Sequence, residues 1–298
     1  MNCLLTGATG FIGRHLVDHL LANGHSVNYL GRQRSTSLDT RAAFHYWDRQ
    51  DEPRLESVPR LDAVFHLAGE PVAQRWTAEV KKRIMESRIE GTRKLVSAIG
   101  KLKYKPSVLV STSAVGFYGD RGNQVLTEAS AAGEGFLADV CKGWEREATR
   151  ATEFGLRVAL LRVATVLGKD GGALKTMLVP FKVGIGGRFG DGKQWMPWIH
   201  LDDLVSLYVF AAENGSAEGP LNAAAPETVT NEQFTKTLGK VLGRPTFIPA
   251  PRFALQAVLG ELAGFVLSSQ KVIPEATERA GFKFRFGQLE LALRAVLA

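Results

Sequence analysis

Thr6-Gly7-Ala8-Thr9-Gly10-Phe11-Ile12-Gly13 follows a short apolar run, Cys3-Leu4-Leu5, and precedes a segment in which Ile12, Leu16, Leu20 and Leu21 recur on one helical face. Strand, glycine turn and helix in that order form the front of a βαβ unit. A second strand is expected at 26–30. Each glycine has its own physical reason to be there. Gly7 supplies an unusual backbone angle for the turn, Gly10 lets the backbone approach a pyrophosphate, and Gly13 lets the helix pack close to the strand. The free N–H groups at the helix start then face the phosphates. With 31 glycines in the chain, the triplet alone weighs little. Its place between a strand and a helix gives it meaning.

Composition narrows the function classes. The 298 residues suggest one large or two modest domains with ample length for a core. Hydrophobic residues make up 45% and charged residues 22%, as in ordinary globular chains. No apolar run reaches the roughly 18 residues needed to span a bilayer, so no membrane partner is expected. The glycine stretch begins too early for a targeting peptide to precede it. Two cysteines, Cys3 and Cys141, give no disulfide framework and suit a reducing, cytoplasmic setting. The net charge of +7 is scattered, with short clusters at 81–83 and 101–105. No basic stripe or aromatic platform points to nucleic acid. His15, His19 and His25 lack the spacing of a metal site, and no metal is expected.

Beyond the second strand, Gly31-Arg32 and nearby Arg34 stand where a dinucleotide fold places the group that reads the ribose. A carboxylate there would grip a 2′-hydroxyl, whereas arginine accommodates a 2′-phosphate, so NADP(H) is favoured over NAD. Further strands are expected at 43–47, 61–67, 107–112 and 156–163, alternating with helices at 76–102 and 135–153. This alternation predicts a Rossmann-type α/β fold: a doubly wound parallel sheet. Asp48 is placed to meet the adenine edge. Leu67, Ala68 and Gly69 permit close approach to the cofactor, as does Val163 at the end of its strand. Thr9, Phe11 and Ile12 complete the glycine-loop contacts. After Gly168 glycines break the pattern around one short helix. A strand-like piece at 198–200, a helix at 202–213 and a helix capped by Thr230 follow. Pro245, Pro249 and Pro251 mark a linker to a small helical unit. The expected division is a Rossmann domain over 1–168, completed by about 198–225, with 169–197 and 226–298 forming a substrate-side subdomain.

The chain resembles the epimerase-like atypical short-chain dehydrogenase/reductases. The resemblance rests on 6–13, on His66-Leu67-Ala68-Gly69-Glu70-Pro71, Ser87-Arg88, Ser113-Ala114-Val115-Gly116-Phe117-Tyr118-Gly119 and Trp144-Glu145. It continues through Gly190-Asp191-Gly192-Lys193-Gln194-Trp195, Trp198-Ile199-His200-Leu201-Asp202-Asp203-Leu204 and Asn222-Ala223-Ala224-Ala225-Pro226, and the C-terminal unit resembles a domain of unassigned function typical of the group. Sugar-modifying relatives use a Tyr-x-x-x-Lys pair, in which the lysine lowers the tyrosine pKa, and an upstream serine. No Tyr-x-x-x-Lys exists in this chain. Aligned through Glu145, its places fall on Leu137 and Cys141, with Lys142 one step away.

The resemblance implies Ser113 as the hydroxyl that bonds the substrate oxygen, with Ser111 or Thr112 in its place if the register shifts, and Tyr118 is the candidate proton donor near the C-terminal end of the same strand. Arg88 stands where the group usually has asparagine, within reach of a cofactor phosphate or ribose, or of an anionic substrate group. Glu70, Gln194, Trp195 and Trp198 are expected to touch substrate, since aromatic faces with one amide suit a flat or sugar-like ligand. The expected function is an NADP(H)-dependent oxidoreductase or epimerase-like enzyme acting on a small molecule, as a monomer or homodimer. The alternative is an NADPH-binding sensor without turnover.

Overall fold

The computed structural model describes all 298 residues. The main sheet is built from β1 (Asn2–Thr6), β2 (Ser26–Gly31), β3 (Ala43–Tyr46), β4 (Ala63–His66) and β5 (Val108–Ala114). A two-residue strand, β6 (Val125–Leu126), follows outside it, and then β7 (Arg157–Val163) returns to it. Next come β8 (Thr165–Leu167), β9 (Trp198–His200), β10 (Gly219–Ala223) and β11 (Lys271–Val272). Seven strands pair in the order β10-β7-β5-β4-β1-β2-β3, all parallel. The chain runs outward from β1 through β2 to β3, then returns to place β4 on the other side of β1. That reversal opens a crevice at the carboxyl ends of β1 and β4, where open α/β sheets bind ligands.

The strands are near-continuous apolar runs because helices cover both faces. On one face lie α1 (Phe11–Ala22) and α5 (Leu201–Glu213), whose Leu16, Leu20, Leu204 and Tyr208 join Leu5, Phe65 and Val110 in one core. On the other lie α2 (Ala78–Lys101) and α3 (Phe136–Thr149), which bury Leu95, Ile99 and Ala148 against Leu4, Val64 and Leu109. Thr77 caps α2, its hydroxyl accepting from the Val80 N–H. The expected helix at 135–153 ends sooner, at Thr149, and a 3₁₀ turn continues it from Arg150 to Phe154.

A third core lies between α4 (Gly172–Lys182), α6 (Asn231–Leu242) and α10 (Leu289–Leu297). Thr230 forms a full capping box with Gln233 at the start of α6. The C-terminal unit also contains α7 (Arg252–Leu259), α8 (Leu262–Val266) and α9 (Glu275–Arg279), and it is tied back to the sheet domain. β11 pairs with β6, Asp203 accepts from the N–H groups of Arg285 and Phe286, and His200 stacks on Phe286 with centroids 3.8 Å apart. His200 also caps α5 by accepting from Asp202 N–H. It is therefore a structural residue at the junction.

Candidate functional site

The glycine stretch turns sharply between β1 and α1. Gly7 has φ +73°, and a Cβ there would stand 2.7 Å from the Leu67 carbonyl carbon. A Cβ on Gly13 would lie 2.1 Å from the Gly7 carbonyl oxygen, so helix and turn touch with no room for a side chain. Gly10 is the N-cap of α1. It offers no side-chain cap, and no acidic residue follows in the first turn. The leading N–H groups of α1 are thus left for an anion. Thr9 and Gly10 are exposed at this turn and Ile12 is half-buried. The Phe11 side chain takes a different direction from the one expected of a cofactor contact. Its ring packs on Gly168, Gly171 and Gly172, each of which would clash with it if it carried a Cβ, and Arg14 pairs with Asp170 of the same loop. Only the Phe11 backbone belongs to the phosphate turn.

At the end of β2, Gly31 is followed by Arg32 and Arg34, both exposed and neither in an ion pair within 4.0 Å of a carboxylate. Asp48, at the end of β3, accepts from Tyr46 Oη and Gln50 N–H. The next residue, Arg49, has φ +71°, a left-handed conformation rare for arginine. Sequence reasoning passed over Arg49, and nothing in its neighbours marks that backbone state in advance.

Toward β5 and β7 the two expected catalytic hydroxyls are both buried and bonded within the protein. Ser113 does stand near the carboxyl end of β5, but it is 1% exposed and donates to Glu145 Oε1 at 2.6 Å. Glu145 holds Arg162 through both carboxylate oxygens, each at 2.9 Å. Arg162 donates onward to Tyr118 Oη at 3.0 Å, and Tyr118 donates to Asn222 Oδ1 at 2.6 Å. Tyr118 is 0% exposed, and burial pushes its pKa up to about 12. In this structure its proton is held by Asn222, and no part of the side chain faces solvent. The Arg162 guanidinium also lies 3.5 Å from the Phe117 ring centroid. Glu128 closes the network by accepting from Asn222 N–H and from Thr277, which carries it into the C-terminal unit.

The places of the missing pair are visible. Leu137 and Cys141 both face Gly116, where an added Cβ would stand 3.2 and 3.9 Å from them. Cys141 sits beside Ala114 O and Ser113, and burial raises its thiol to about 11, so it is neutral at pH 7. Lys142 points elsewhere, to Asp139 on its own helix.

Three expected substrate residues make contacts within the protein. Trp198 is 0% exposed, belongs to the core between α4 and α6, and donates Nε1–H to Glu227 O. Gln194 is buried and donates to Phe189 O, bracing its own loop. Trp195 is half-buried, donates to Asn123 Oδ1 and lies under Lys271 Nζ, 4.3 Å from the ring centroid. It clasps β11 to the segment around β6. Glu70 stays half-buried at the rim, with its carboxylate toward Gln74 and Arg83.

Two groups at the end of β4 do meet the crevice wall. His66 is fully buried and forms a relay. Ala68 N–H donates to Thr6 Oγ1 (3.1 Å), Thr6 Oγ1 lies 2.6 Å from His66 Nδ1, His66 Nε2 lies 2.8 Å from Thr92 Oγ1, and Thr92 donates to Arg88 O. Because the Thr92 hydrogen goes to that carbonyl, Thr92 accepts from His66 Nε2–H and Thr6 donates to Nδ1. Burial lowers the His66 pKa to about 3, with Arg88 and Arg49 adding to the effect. The relay fixes the Leu67–Gly69 turn against β1 across the reversal point, and a histidine closing an apolar strand was its only signal in the sequence. Arg88 lies against that turn. A Cβ on Gly69 would meet its Cζ at 2.9 Å. Val163, at the end of β7, is buried beside the same crevice.

Comparison with known proteins fits this geometry. The sequence profile of the NAD dependent epimerase/dehydratase family matches residues 3–224, and that of a domain of unknown function (DUF1731) matches 250–296. An epimerase family protein SDR39U1 homolog of Arabidopsis thaliana, described as chloroplastic, is 42% identical over 302 residues, covering 100% of this chain and 87% of the relative. The epimerase family protein YfhF of Bacillus subtilis is 36% identical, covering 100% of this chain and 98% of its own. Among solved structures, human epimerase family protein SDR39U1 (isoform 2) with NADPH superposes with a TM-score of 0.91 at 36% identity, covering 99% of each chain. No helix here is long and apolar enough to cross a membrane.

Proposed function

The chain belongs to the NAD dependent epimerase/dehydratase family, and on that premise we propose that it is an NADP(H)-dependent oxidoreductase or epimerase-like enzyme acting on a small molecule. One observation carries the choice of cofactor. Past β2 the chain offers two exposed, unpaired guanidinium groups, Arg32 and Arg34, and no carboxylate. These suit the extra phosphate of NADP(H). The human relative crystallised with NADPH supports the same choice. The uncapped start of α1 suits the pyrophosphate, and the crowding at Gly7 and Gly13 keeps the turn open to it. When bound, the dinucleotide would supply or accept a hydride at a carbonyl or hydroxyl carbon. Ser113 orders the wall beside it through Glu145, and the Tyr118 hydroxyl is bonded to Asn222.

A second reading, an NADPH-binding sensor without turnover, is favoured by the same sealed hydroxyls and by Leu137 and Cys141 in the places of the missing pair. Turnover separates the two. Purified protein is mixed with NADPH, and separately with NADP⁺, together with pooled cell metabolites, and the reduced-nicotinamide signal is followed. A change that survives Tyr118→Phe, corrected for folded fraction, supports the enzyme with its proton taken from elsewhere. Micromolar NADPH binding with no signal change in either direction supports the sensor.

A further inference from the structure

Arg88 is a largely buried cation with no carboxylate within 4.0 Å, and Glu70 acts on it only from further away. Its Nη1 donates to two backbone carbonyls, Glu70 O at 2.9 Å and Ile84 O at 3.3 Å. The Glu70 carboxylate turns away, toward Arg83 and Gln74. Cys141 is a neutral thiol at pH 7. Arg49, in its left-handed conformation, adds a second positive charge to this end of the crevice rather than removing one. On its inner side the guanidinium rests over Trp144, 5.0 Å from the ring centroid. Trp144 is 3% exposed, and its indole Nε1–H has no acceptor. A buried charge left this way costs stability unless something compensates it.

The free edge of the guanidinium shows what would compensate it. Nε and Nη2 have no protein partner, yet neither is sealed from solvent. Together they form the side-on fork that holds a carboxylate through two parallel hydrogen bonds. Gly69 leaves room for this arrangement, since a Cβ there would stand 2.9–3.1 Å from Arg88 Cζ, Nη2 and Nη1. The dinucleotide does not need this charge. On the NADP(H) reading the start of α1 would take its pyrophosphate and Arg32 and Arg34 its 2′-phosphate.

We infer that Arg88 anchors a carboxylate of the substrate, so that the enzyme's substrates are small carboxylate-bearing carbonyl or hydroxy compounds. This rests on the NADP(H) reading for its place beside the nicotinamide, but the anion site itself is measurable without nucleotide. Arg88 is then a specificity-determining residue, and Gly69 a positioning residue that acts through it.

Oxalate serves as the planar dicarboxylate probe, with inorganic phosphate and acetate as comparisons. Each is titrated by calorimetry into wild-type protein, Arg88→Met, Arg88→Lys and Gly69→Ala, with and without saturating NADPH, after thermal melts confirm that each variant is folded. The inference expects oxalate to bind wild type more tightly than phosphate. It expects at least a tenfold loss in Arg88→Met, a smaller loss in Arg88→Lys, which keeps the charge without the fork, and a loss in Gly69→Ala. NADPH affinity should stay within threefold in the two Arg88 variants. Three results would overturn it: oxalate binding that Arg88→Met leaves unchanged, no oxalate binding at millimolar concentration, or a tenfold loss of NADPH affinity in Arg88→Met, which would make Arg88 a cofactor residue. Wild type that binds oxalate but not NADPH would sink the cofactor reading and leave the anion site standing.

Discussion

At the β1–β2 end of the crevice, the leading N–H groups of α1 and the guanidinium groups of Arg32 and Arg34 face outward without protein partners. At the β5–β7 end, Ser113, Glu145, Arg162, Tyr118 and Asn222 bond one another in an unbroken buried chain. The contrast separates residues kept for a ligand from residues kept for the fold. A polar group that makes its hydrogen bonds inside the protein has little left to offer a substrate, whatever its place in a motif. An exposed cation with no partner, at the mouth of a crevice, has its interaction still to make. Arg88 lies between the two: it is half-buried and Nη1 is bonded to carbonyls, while Nε and Nη2 are left without protein partners.

The comparison breaks most easily at Arg162. Replacing it with leucine leaves the Glu145 carboxylate buried with no cation and removes a donor from Tyr118. Breaking one side of such a pair costs about 3–5 kcal/mol. Urea unfolding should show that loss, while NADPH affinity of the remaining folded protein stays near wild type. An unchanged unfolding midpoint would mean the chain of bonds is not what holds this end together.

His66 tests the boundary between the halves. Its folded-state pKa of about 3 lies below the roughly 6.5 of an unfolded histidine. The folded protein therefore favours the neutral ring. The resulting stability is complete above about pH 6.5 and is lost as pH falls toward 3. At about 1.4 kcal/mol per pH unit, moving from pH 7 to pH 4 should cost on the order of 3 kcal/mol through this residue. Carboxylates titrate over part of the same range, so the readout is the difference between wild type and His66→Gln in acid unfolding curves. Parallel curves would show that the relay from Thr6 to Thr92 does not require the neutral ring.

How much of this was legible in the sequence follows from how local each feature is. The glycine turn was legible because strand, turn and helix are contiguous and Gly7 and Gly13 crowd atoms only a few residues away or on the neighbouring strand. The edge strand β10 was not among the expected strands. Its residues, Gly219-Pro220-Leu221-Asn222-Ala223, have little strand propensity, and its pairing with β7 comes from far along the chain. Ser113 fell just past the strand expected at 107–112 and stands inside β5, but its partner Glu145 lies 32 residues away, and Tyr118 meets Asn222 across 104. Spacing arguments do not reach that far. One clue was available: Arg162 is an arginine inside the apolar run from Val158 to Val163, and a charge there needs a buried partner.

The smallest effect is the most selective. Arg32→Ala removes one charge-assisted contact from an exposed site and leaves the fold untouched, so it should change nothing but the reading of the ribose. NADPH affinity should fall about tenfold to thirtyfold, which corresponds to roughly 1.5–2 kcal/mol for a charge-assisted hydrogen bond to phosphate. NADH affinity should stay within twofold, because NADH carries no 2′-phosphate to lose. Part of the NADPH loss should be recovered at low ionic strength, since Arg34 remains nearby and its attraction is then less screened. Equal losses for both nucleotides would mean that Arg32 supports the adenosine as a whole and does not discriminate. No loss for either would move the 2′-phosphate away from the end of β2, and the open half of the crevice would then need another explanation for its two unpaired arginines.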